Sequence, residues 1–276
     1  MMKRWRCTHC NFLTWSTDHG AMKAAIKTHL ISHYADRLSK SDFRIAWNCP
    51  YCQSKKTIYD KGEAIADFKS HLYGHVEDNI HDGTHIGNRL GWNGNLQINT
   101  PTDSPEADTL RSHFHSNADL AILITANPEA RIQHLHDELT ELPSRAVVVS
   151  TEGNPFDAET ELDFSGTSME LVELDTRLGP NDVGETVSRI LDVHHTDGMR
   201  VSVEVDIINE IIRSFDLQTS CDFVRMLASR LEDIDGVFQL YVNPDAHRNI
   251  STVLNFLEEE FDMAIRASQQ QFIRTS

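Results

Sequence analysis

Eight cysteine and histidine residues near the N-terminus have the types and the spacing of metal ligands. They form two sets, each with 18 residues between the second cysteine and the first histidine: Cys7, Cys10, His29 and His33, then Cys49, Cys52, His71 and His75. Two thiolates and two imidazoles supply the tetrahedral ligands that Zn2+ prefers. A catalytic zinc keeps one position open, whereas both sets are full, so the sequence predicts two structural Zn2+ ions.

The two ligand sets are copies of one unit. Every ligand recurs at an offset of 42 residues, and so do pairs such as Trp5 with Trp47. This self-similarity indicates an internal duplication. Four other histidines break the repeat and are expected to be solvated rather than bound to metal: His9, His19, His81 and His85.

A helix must carry the two histidines of each unit. In the first unit, the positions at i, i+3, i+4 and i+7 are Ile26, His29, Leu30 and His33. This spacing places two ligands and two apolar residues on one helix face. Trp5 and Trp47, each two residues before a first cysteine, are expected to complete two miniature cores. Such units are too small to fold by burial alone, so zinc binding should supply much of their folding free energy.

Residues 5–75 resemble the C2H2 zinc-finger family on the strength of these ligands. The resemblance implies two small ββα fingers, at residues 1–36 and 43–76. The interval between second cysteine and first histidine departs from the family, because it is 18 residues rather than about 12. Either an earlier helix start or a longer hairpin would accommodate the difference.

Charge separates the finger segment from the rest of the chain. Residues 1–76 carry a net charge of +6, whereas residues 77–276 contain no lysine and carry −23. A basic head of this kind indicates an acidic partner, either a nucleic acid or an acidic protein surface. Five lysines are the candidates for phosphate contacts: Lys23, Lys27, Lys55, Lys56 and Lys69.

Base-specific reading of DNA is not favoured by the helix sequences. Counting back from the first histidine as position 7, positions −1, 3 and 6 are Met22, Ala25 and Thr28, then Ala64, Asp67 and Ser70. Arginine, lysine, asparagine and glutamine are the usual base readers, and none stands there. Contact with DNA or RNA through phosphates, and a protein-interaction adaptor role, therefore both stay open.

The remainder of the chain is predicted to be a linker and an α/β domain. Residues 77–116 are rich in turn formers and are interpreted as a linker, with a small hairpin at 92–95 and surface histidines at 113 and 115. From residue 117 onward, apolar runs alternate with helical segments, which indicates a mainly parallel sheet with helices on both faces, three layers in all. The predicted strands are 121–125, 146–149, 169–174, 201–205 and 237–242, and the predicted helices are 129–142, 183–195, 207–215, 221–231 and 250–263.

This domain, which covers residues 117–276, resembles the RecA/KaiC-like domains of a haloarchaeal family. The segments that carry the resemblance are residues 199–206 and 236–247. The resemblance spans about residues 117–267 and implies that Asp206 stands where nucleotide-binding relatives assist Mg2+. A halophilic archaeal origin would also fit the strong acidity without late lysines. The phosphate loop is missing, because residues 125–131 contain neither glycine nor lysine. We therefore expect a degenerate RecA-like domain that is not an enzyme.

Structural roles, rather than catalytic or binding ones, are expected for the remaining candidate residues. Asp206 is interpreted as a helix N-cap, Cys221 as a core residue, and His194 with His195 as the end of a helix. Paired cysteines without a signal peptide or a membrane-length apolar run predict a cytoplasmic protein that does not enter membranes. The C-terminal domain is also a candidate for self-association.

Overall fold

The computed structural model describes residues 2–83, 86–139, 142–151, 167–174, 179–232 and 234–275, except for the side chains of Asn88 and Glu138. The chain divides into two compact units. Met1–Thr84 and Ser268–Arg274 form the first, called the finger unit below. His85–Ala267 and Thr275–Ser276 form the second, called the α/β unit. Within the described residues, no helix is both long and apolar enough to cross a membrane.

The finger unit contains two α-helices and seven strands among its described residues. Numbered along the chain, they are β1 (Lys3–Arg6), β2 (Leu13–Ser16), α1 (His19–His33), β3 (Leu38–Ser41), β4 (Arg44–Asn48), β5 (Lys55–Ile58), α2 (Lys61–Gly74), β6 (His81–Asp82) and, near the C-terminus, β14 (Gln271–Arg274). The order β14-β2-β1-β6 defines one antiparallel sheet, and β3-β4-β5 defines another.

Both helices start well before their first histidine ligand. The side chain of Asp18 accepts a hydrogen bond from the amide of Ala21, and Asp60 accepts one from the amide of Glu63. These aspartates are N-caps, which satisfy amides that the first helical turn leaves unpaired. The long interval between the second cysteine and the first histidine is therefore accommodated by an earlier helix start.

The two fingers share one core instead of forming two separate ones. A single cluster of buried side chains includes Trp5 and Leu30 from the first repeat, and Trp47, Phe68 and Leu72 from the second. Helix α1 packs against α2. Lys27 Nζ donates a hydrogen bond to Ser70 Oγ at 2.8 Å across this helix pair. The expectation of two independent miniature cores is corrected accordingly.

The α/β unit is built on a parallel sheet whose strand order is β10-β9-β8-β11-β12-β7-β13. Its strands are β7 (Gly94–Asn99), β8 (Leu120–Thr125), β9 (Arg145–Ser150), β10 (Ser168–Glu173), β11 (Val201–Val205), β12 (Gly236–Val242) and β13 (Met263–Ser268). Its helices are α3 (Ile86–Arg89), α4 (Pro105–His115), α5 (Pro128–Glu138), α6 (Pro180–His194), α7 (Ile208–Ser214), α8 (Leu217–Ser229) and α9 (Ile250–Phe256). The α/β layout with a mainly parallel sheet is confirmed.

Helices cover both faces of this sheet. Alternate residues of β8 point to opposite faces, so Ile122 joins a cluster with Val187 of α6 and Phe223 of α8, whereas Leu123 joins another with Ile132 of α5. A strand buried on both faces must be apolar at nearly every position. This requirement explains why β8, β9 and β12 are visible in the sequence as apolar runs.

Three predictions about this part of the chain were wrong. Residues 94–99 and 105–115 form β7 and α4 rather than a linker, and β7 pairs with β12 and β13. Because Gly94 begins that parallel strand, residues 92–95 do not close a hairpin. The helix predicted over 250–263 ends at Phe256, and β13 starts at Met263. Residues 140 and 141 of the predicted helix 129–142, and His85, lie outside the described residues.

Candidate metal centres and a buried charge cluster

The first candidate metal centre brings Cys7, Cys10, His29 and His33 together. The ligand atoms all lie within 4.8 Å of one another. The Nε2 atoms of the two histidines are 3.0 Å apart. Cys7 Sγ lies 3.5 Å from His33 Nε2, and Cys10 Sγ lies 3.4 Å from His29 Nε2. The Nε2 atoms of His29 and His33 therefore both face the cysteine sulfurs.

The second centre repeats this geometry with Cys49, Cys52, His71 and His75. Cys49 Sγ lies 3.4 Å from His75 Nε2, and Cys52 Sγ lies 3.4 Å from His71 Nε2. The two Nε2 atoms are 3.3 Å apart. A tetrahedral zinc with bonds of about 2.0–2.3 Å would place nitrogen about 3.5 Å from sulfur and about 3.3 Å from nitrogen. Both clusters can therefore hold a metal ion with tetrahedral coordination.

Backbone amides support the sulfur atoms in both centres. The amides of His9 and Phe12 donate to Cys7 Sγ and Cys10 Sγ at 3.3 and 3.4 Å. In the second centre, the amides two residues after each cysteine donate at the same distances. Such donors favour the thiolate, which is the form that binds metal.

The ligands differ in how readily they reach the metal-binding protonation state. Hydrogen bonds from Ser54 lower the pKa of Cys52 to about 6. Burial raises the pKa of Cys7 and of Cys49, against their amide hydrogen bonds. Burial, with a smaller contribution from the charge of His33, lowers the pKa of His29 to about 4. Near neutral pH, His29 is therefore already a neutral ligand.

Most of the six helix positions that would read bases in the C2H2 family are buried or hydrogen-bonded within the fold. Met22, Ala25 and Ala64 are buried. Asp67 accepts hydrogen bonds from Trp47 Nε1 at 3.0 Å and from Lys56 Nζ at 2.7 Å. Thr28 and Ser70 are the exposed positions among the six. Three of the six positions are therefore buried, and a fourth, Asp67, is already hydrogen-bonded within the fold.

The five candidate lysines have different surroundings in the finger unit. Lys23 and Lys27 approach the ring of Tyr73, at 4.9 and 5.9 Å from its centroid. Lys56 forms an ion pair with Asp67. Lys55 is exposed on β5, and Lys69 is half-buried on α2. Their role in nucleic-acid contact stays a prediction.

A basic cleft beside the first metal centre escaped the sequence reasoning. It has a volume of about 580 Å3, and its polar lining includes Arg4, Arg6, His9, Asn11, Asn79 and His81. No carboxylate belongs to this lining. Arg4 and Arg6 form no ion pair with any residue in the described part of the chain. The available signal was the alternation of arginines around Trp5, which puts Arg4 and Arg6 on the same face of a strand.

The α/β unit contains a buried charge cluster at the carboxyl ends of β8 and β11. Asp206 Oδ2 accepts hydrogen bonds from Arg131 Nε at 2.8 Å and from Thr125 Oγ1 at 3.0 Å. Arg111 Nε donates to Glu204 Oε1 at 2.5 Å and lies between Glu204 and Asp206. All four charged side chains are buried.

The protonation of these carboxyl groups follows their positions in the cluster. Burial alone would raise the pKa of Glu204, but the charge of Arg111 and a hydrogen bond with His115 lower it well below its usual value. Burial, and then the charge of Glu204, raise the pKa of Asp206. The cluster is therefore a coupled network rather than a set of separate ion pairs.

The cluster corrects the predictions for Asp206 and His115. Elsewhere in this unit, the predictions for Cys221 and His194 are confirmed. Asp206 is not an N-cap, because α7 begins after Ile207 and has no side-chain cap. His115 is buried and contacts Glu204 at 2.9 Å instead of lying at the surface. Cys221 is buried in the core, and His194 ends α6, both as predicted. His9, His19 and His81 are exposed.

The fold and the clusters define an α/β protein with two Cys2His2 groups near its N-terminus. Residues 96–267 match the Family of unknown function (DUF7504), and the chain belongs to that family. The match starts inside β7, within the segment first interpreted as linker. A solved structure from Pyrococcus horikoshii OT3 is similar at 12% identity, over 66% of this chain and 88% of that one, with a TM-score of 0.44. No curated protein matches the sequence.

Proposed function

We propose that this chain is a zinc-binding, non-enzymatic regulator whose finger unit contacts nucleic acid. The observation that carries the proposal is the basic cleft at the first metal centre. Arg4 and Arg6 stand on its wall together with amide and imidazole groups, and no carboxylate opposes them. Guanidinium and amide donors are the groups that bind phosphate oxygens in protein–nucleic acid complexes.

Zinc is the metal that the donor sets favour. Two thiolates and two imidazoles in tetrahedral arrangement suit Zn2+, whereas Mg2+ and Ca2+ require oxygen ligands. With four protein ligands in each centre, the ions would hold the fold and leave no coordination position for a substrate. The role of the finger unit is then binding.

A degenerate RecA-like α/β unit fits the same proposal. From β8 the chain continues to β9 and β10 on one side, and then returns to β11 and β12 on the other. Ligands of open α/β sheets bind at such a reversal point. Here Arg131 and Thr125 both donate hydrogen bonds to Oδ2 of Asp206, so this carboxylate is engaged within the protein. We therefore assign this unit to regulation or assembly rather than to nucleotide hydrolysis.

The test is titration of labelled duplex and single-stranded DNA and RNA with the zinc-loaded chain at several salt concentrations. We expect binding that weakens steeply with salt, with a log–log slope that falls by up to about 2 in R4Q/R6Q. R213Q/R248Q, which removes two exposed arginines of the α/β unit, is the matched control and should bind as the unmodified chain does. Absence of binding to every probe at low salt would refute the proposal.

A protein-interaction adaptor is the second candidate. It is favoured by the burial of Met22, Ala25 and Ala64 at positions that would otherwise read bases. A purified complex that survives nuclease treatment, and that R4Q/R6Q leaves intact, would support the adaptor role. Complex formation that requires nucleic acid would refute it.

A further inference from the structure

Two aromatic side chains of the finger unit are exposed without a packing role. Phe43 is 88% exposed and Tyr59 is 69% exposed, which makes them the most exposed large apolar residues of the described finger unit. Burying such a side chain would gain about 1.5–3 kcal/mol, so the fold alone gives no reason to keep them in water.

The backbone places Phe43 and Tyr59 at the same end of the β3-β4-β5 sheet. Ser41 pairs with Arg44, so Asp42 and Phe43 form a two-residue turn that puts Phe43 at the tip of the β3–β4 hairpin. Asp42 has a φ of 53°, in the left-handed region that such tight turns require. Ile45 pairs with Ile58, and the register extends to place Arg44 opposite Tyr59.

Positive charge surrounds the aromatic pair. The guanidinium carbon of Arg44 lies 5.4 Å from the centroid of the Tyr59 ring. A groove of about 640 Å3 runs between the hairpin tip and the start of α2. Lys40 and Lys61 line this groove, with Asp42 as the carboxylate of the lining. Its apolar lining residues include Leu38, Ile45 and Ile65.

We infer that this surface, defined by Phe43, Tyr59, Arg44, Lys40 and Lys61, binds an unpaired stretch of nucleic acid by stacking its bases. Exposed aromatic rings stack on bases of any sequence, and neighbouring cations hold the phosphates. Bases in a duplex are stacked on one another, so they do not offer their faces to these rings. The inference rests on the proposed function and adds that the preferred ligand is single-stranded.

The charge decides between a nucleic acid and an apolar peptide. Lys40 and Lys61 line the groove together with one carboxylate, Asp42, and Arg44 adds a cation over the Tyr59 ring. An arginine over an aromatic ring also keeps its charge available, because a cation–π contact does not neutralise it. A peptide that fitted this surface would need both apolar anchors and acidic groups, whereas a single strand supplies rings and negative charge in every nucleotide.

The experiment compares the zinc-loaded full chain with F43A/Y59A. Fluorescein-labelled oligo-dT and oligo-U of about 12 nucleotides, and a duplex of the same length, are titrated at about 50 mM salt. Each stacked base is worth roughly a factor of 5 to 150 in affinity, so the double variant should lose at least about tenfold for both single strands. Its affinity for the duplex should not change.

F256A is the matched control, because Phe256 is 59% exposed but belongs to the α/β unit. It should bind single strands as the unmodified chain does, and zinc content and circular dichroism should be the same in all three proteins. Ultraviolet crosslinking should place the oligonucleotide on the peptides that contain Phe43 and Tyr59.

The outcomes separate this inference from the proposed function. Equal single-strand affinity of F43A/Y59A and the unmodified chain would refute the stacking surface and leave the phosphate cleft standing. Equal weakening for duplex and single strand would refute it as well. A nuclease-resistant protein complex that is lost in F43A/Y59A would assign the groove to a protein instead. No binding to any probe would refute both proposals.

Discussion

Arg131 donates a hydrogen bond from Nε to Asp206 Oδ2 at 2.8 Å, just beyond the carboxyl ends of β8 and β11. A second hydrogen bond from Thr125 reaches the same oxygen. Arg131 also donates to Asp103 Oδ1 at 2.8 Å, so its guanidinium is fixed at both ends. The arginine thus pairs with a buried carboxylate at the ends of two neighbouring strands of the sheet.

This contact predicts that the α/β unit does not bind Mg-ATP at millimolar concentration. Oδ2 of Asp206 already accepts hydrogen bonds from Arg131 and Thr125, and residues 125–131 lack the glycines and the lysine of a phosphate loop. Isothermal titration calorimetry of the full chain should show no binding heat. Binding that disappears in Asp206→Ala would contradict this prediction.

Glu204→Gln should lower the free energy of unfolding of the α/β unit by about 3–5 kcal/mol at neutral pH. Glu204 is fully buried between Arg111 and His115, and removing its charge leaves the Arg111 guanidinium without its main partner. Chemical denaturation measures the change. Asp103→Asn is the control, because Asp103 is 68% exposed and its pairing with Arg131 should contribute at most about 1 kcal/mol.

The same variant should change the acid side of the stability curve. The pKa of Glu204 in the folded chain is lowered from its usual value of 4.5, so its contribution is present above that pH and is lost as the pH falls. The difference between the unmodified chain and Glu204→Gln should therefore shrink below about pH 4.5. A difference that stays constant, or that grows toward acid, would contradict this assignment.

Zinc removal should unfold the finger unit and spare the α/β unit. We expect two zinc ions in the unmodified chain and one in Cys7→Ser, because each centre has its own four ligands. Since α1 and α2 share a core, hydrogen exchange should accelerate in both helices, and more in α1. Cys221→Ser, which changes a buried cysteine outside both centres, should keep two zinc ions. Loss of protection throughout the parallel sheet would show that the two units are not independent.

Phe272→Ala should destabilise the finger unit, by about 3–5 kcal/mol if the cavity does not collapse. Phe272 is fully buried and pairs with Trp15 across β14 and β2. Hydrogen exchange should speed up in residues 13–16 and not in β11. Gln271→Ala, on the same strand, is the control and should have little effect. Faster exchange confined to β11 and its neighbours would show that β14 does not belong to the finger unit.

The metal centres were predictable from sequence because their chemistry is local. Cysteines three residues apart and histidines one helical turn apart fix their own relative geometry, and the repeat at an offset of 42 confirms the register. The strands β8, β9 and β12 were visible for a similar reason, since burial on both faces demands an apolar run. Each of these features is contained in a short stretch of chain.

The parts that sequence reasoning missed depend on distant partners. Strand β7 reads Gly-Asn-Leu-Gln-Ile-Asn, without an apolar run, and it becomes visible as a strand only through its pairing with β12 and β13. Arg111 is buried because Glu204, 93 residues later, receives it. A signal was present in β11, where a glutamate between two valines of a buried strand must have a partner.

Strand β14 gives the finger unit a dependence on the order of synthesis. The backbone carbonyl of Gln270, the residue just before β14, accepts a hydrogen bond from Ser16 Oγ, 254 residues earlier in the chain. At roughly 5–20 residues per second, a ribosome needs about 13–50 s to make the intervening segment. During that time the outer edge of β2 has no strand beside it, and an open strand edge is a template for aggregation. Early zinc capture by the first repeat would hold β1 and β2 in place until the closing strand emerges.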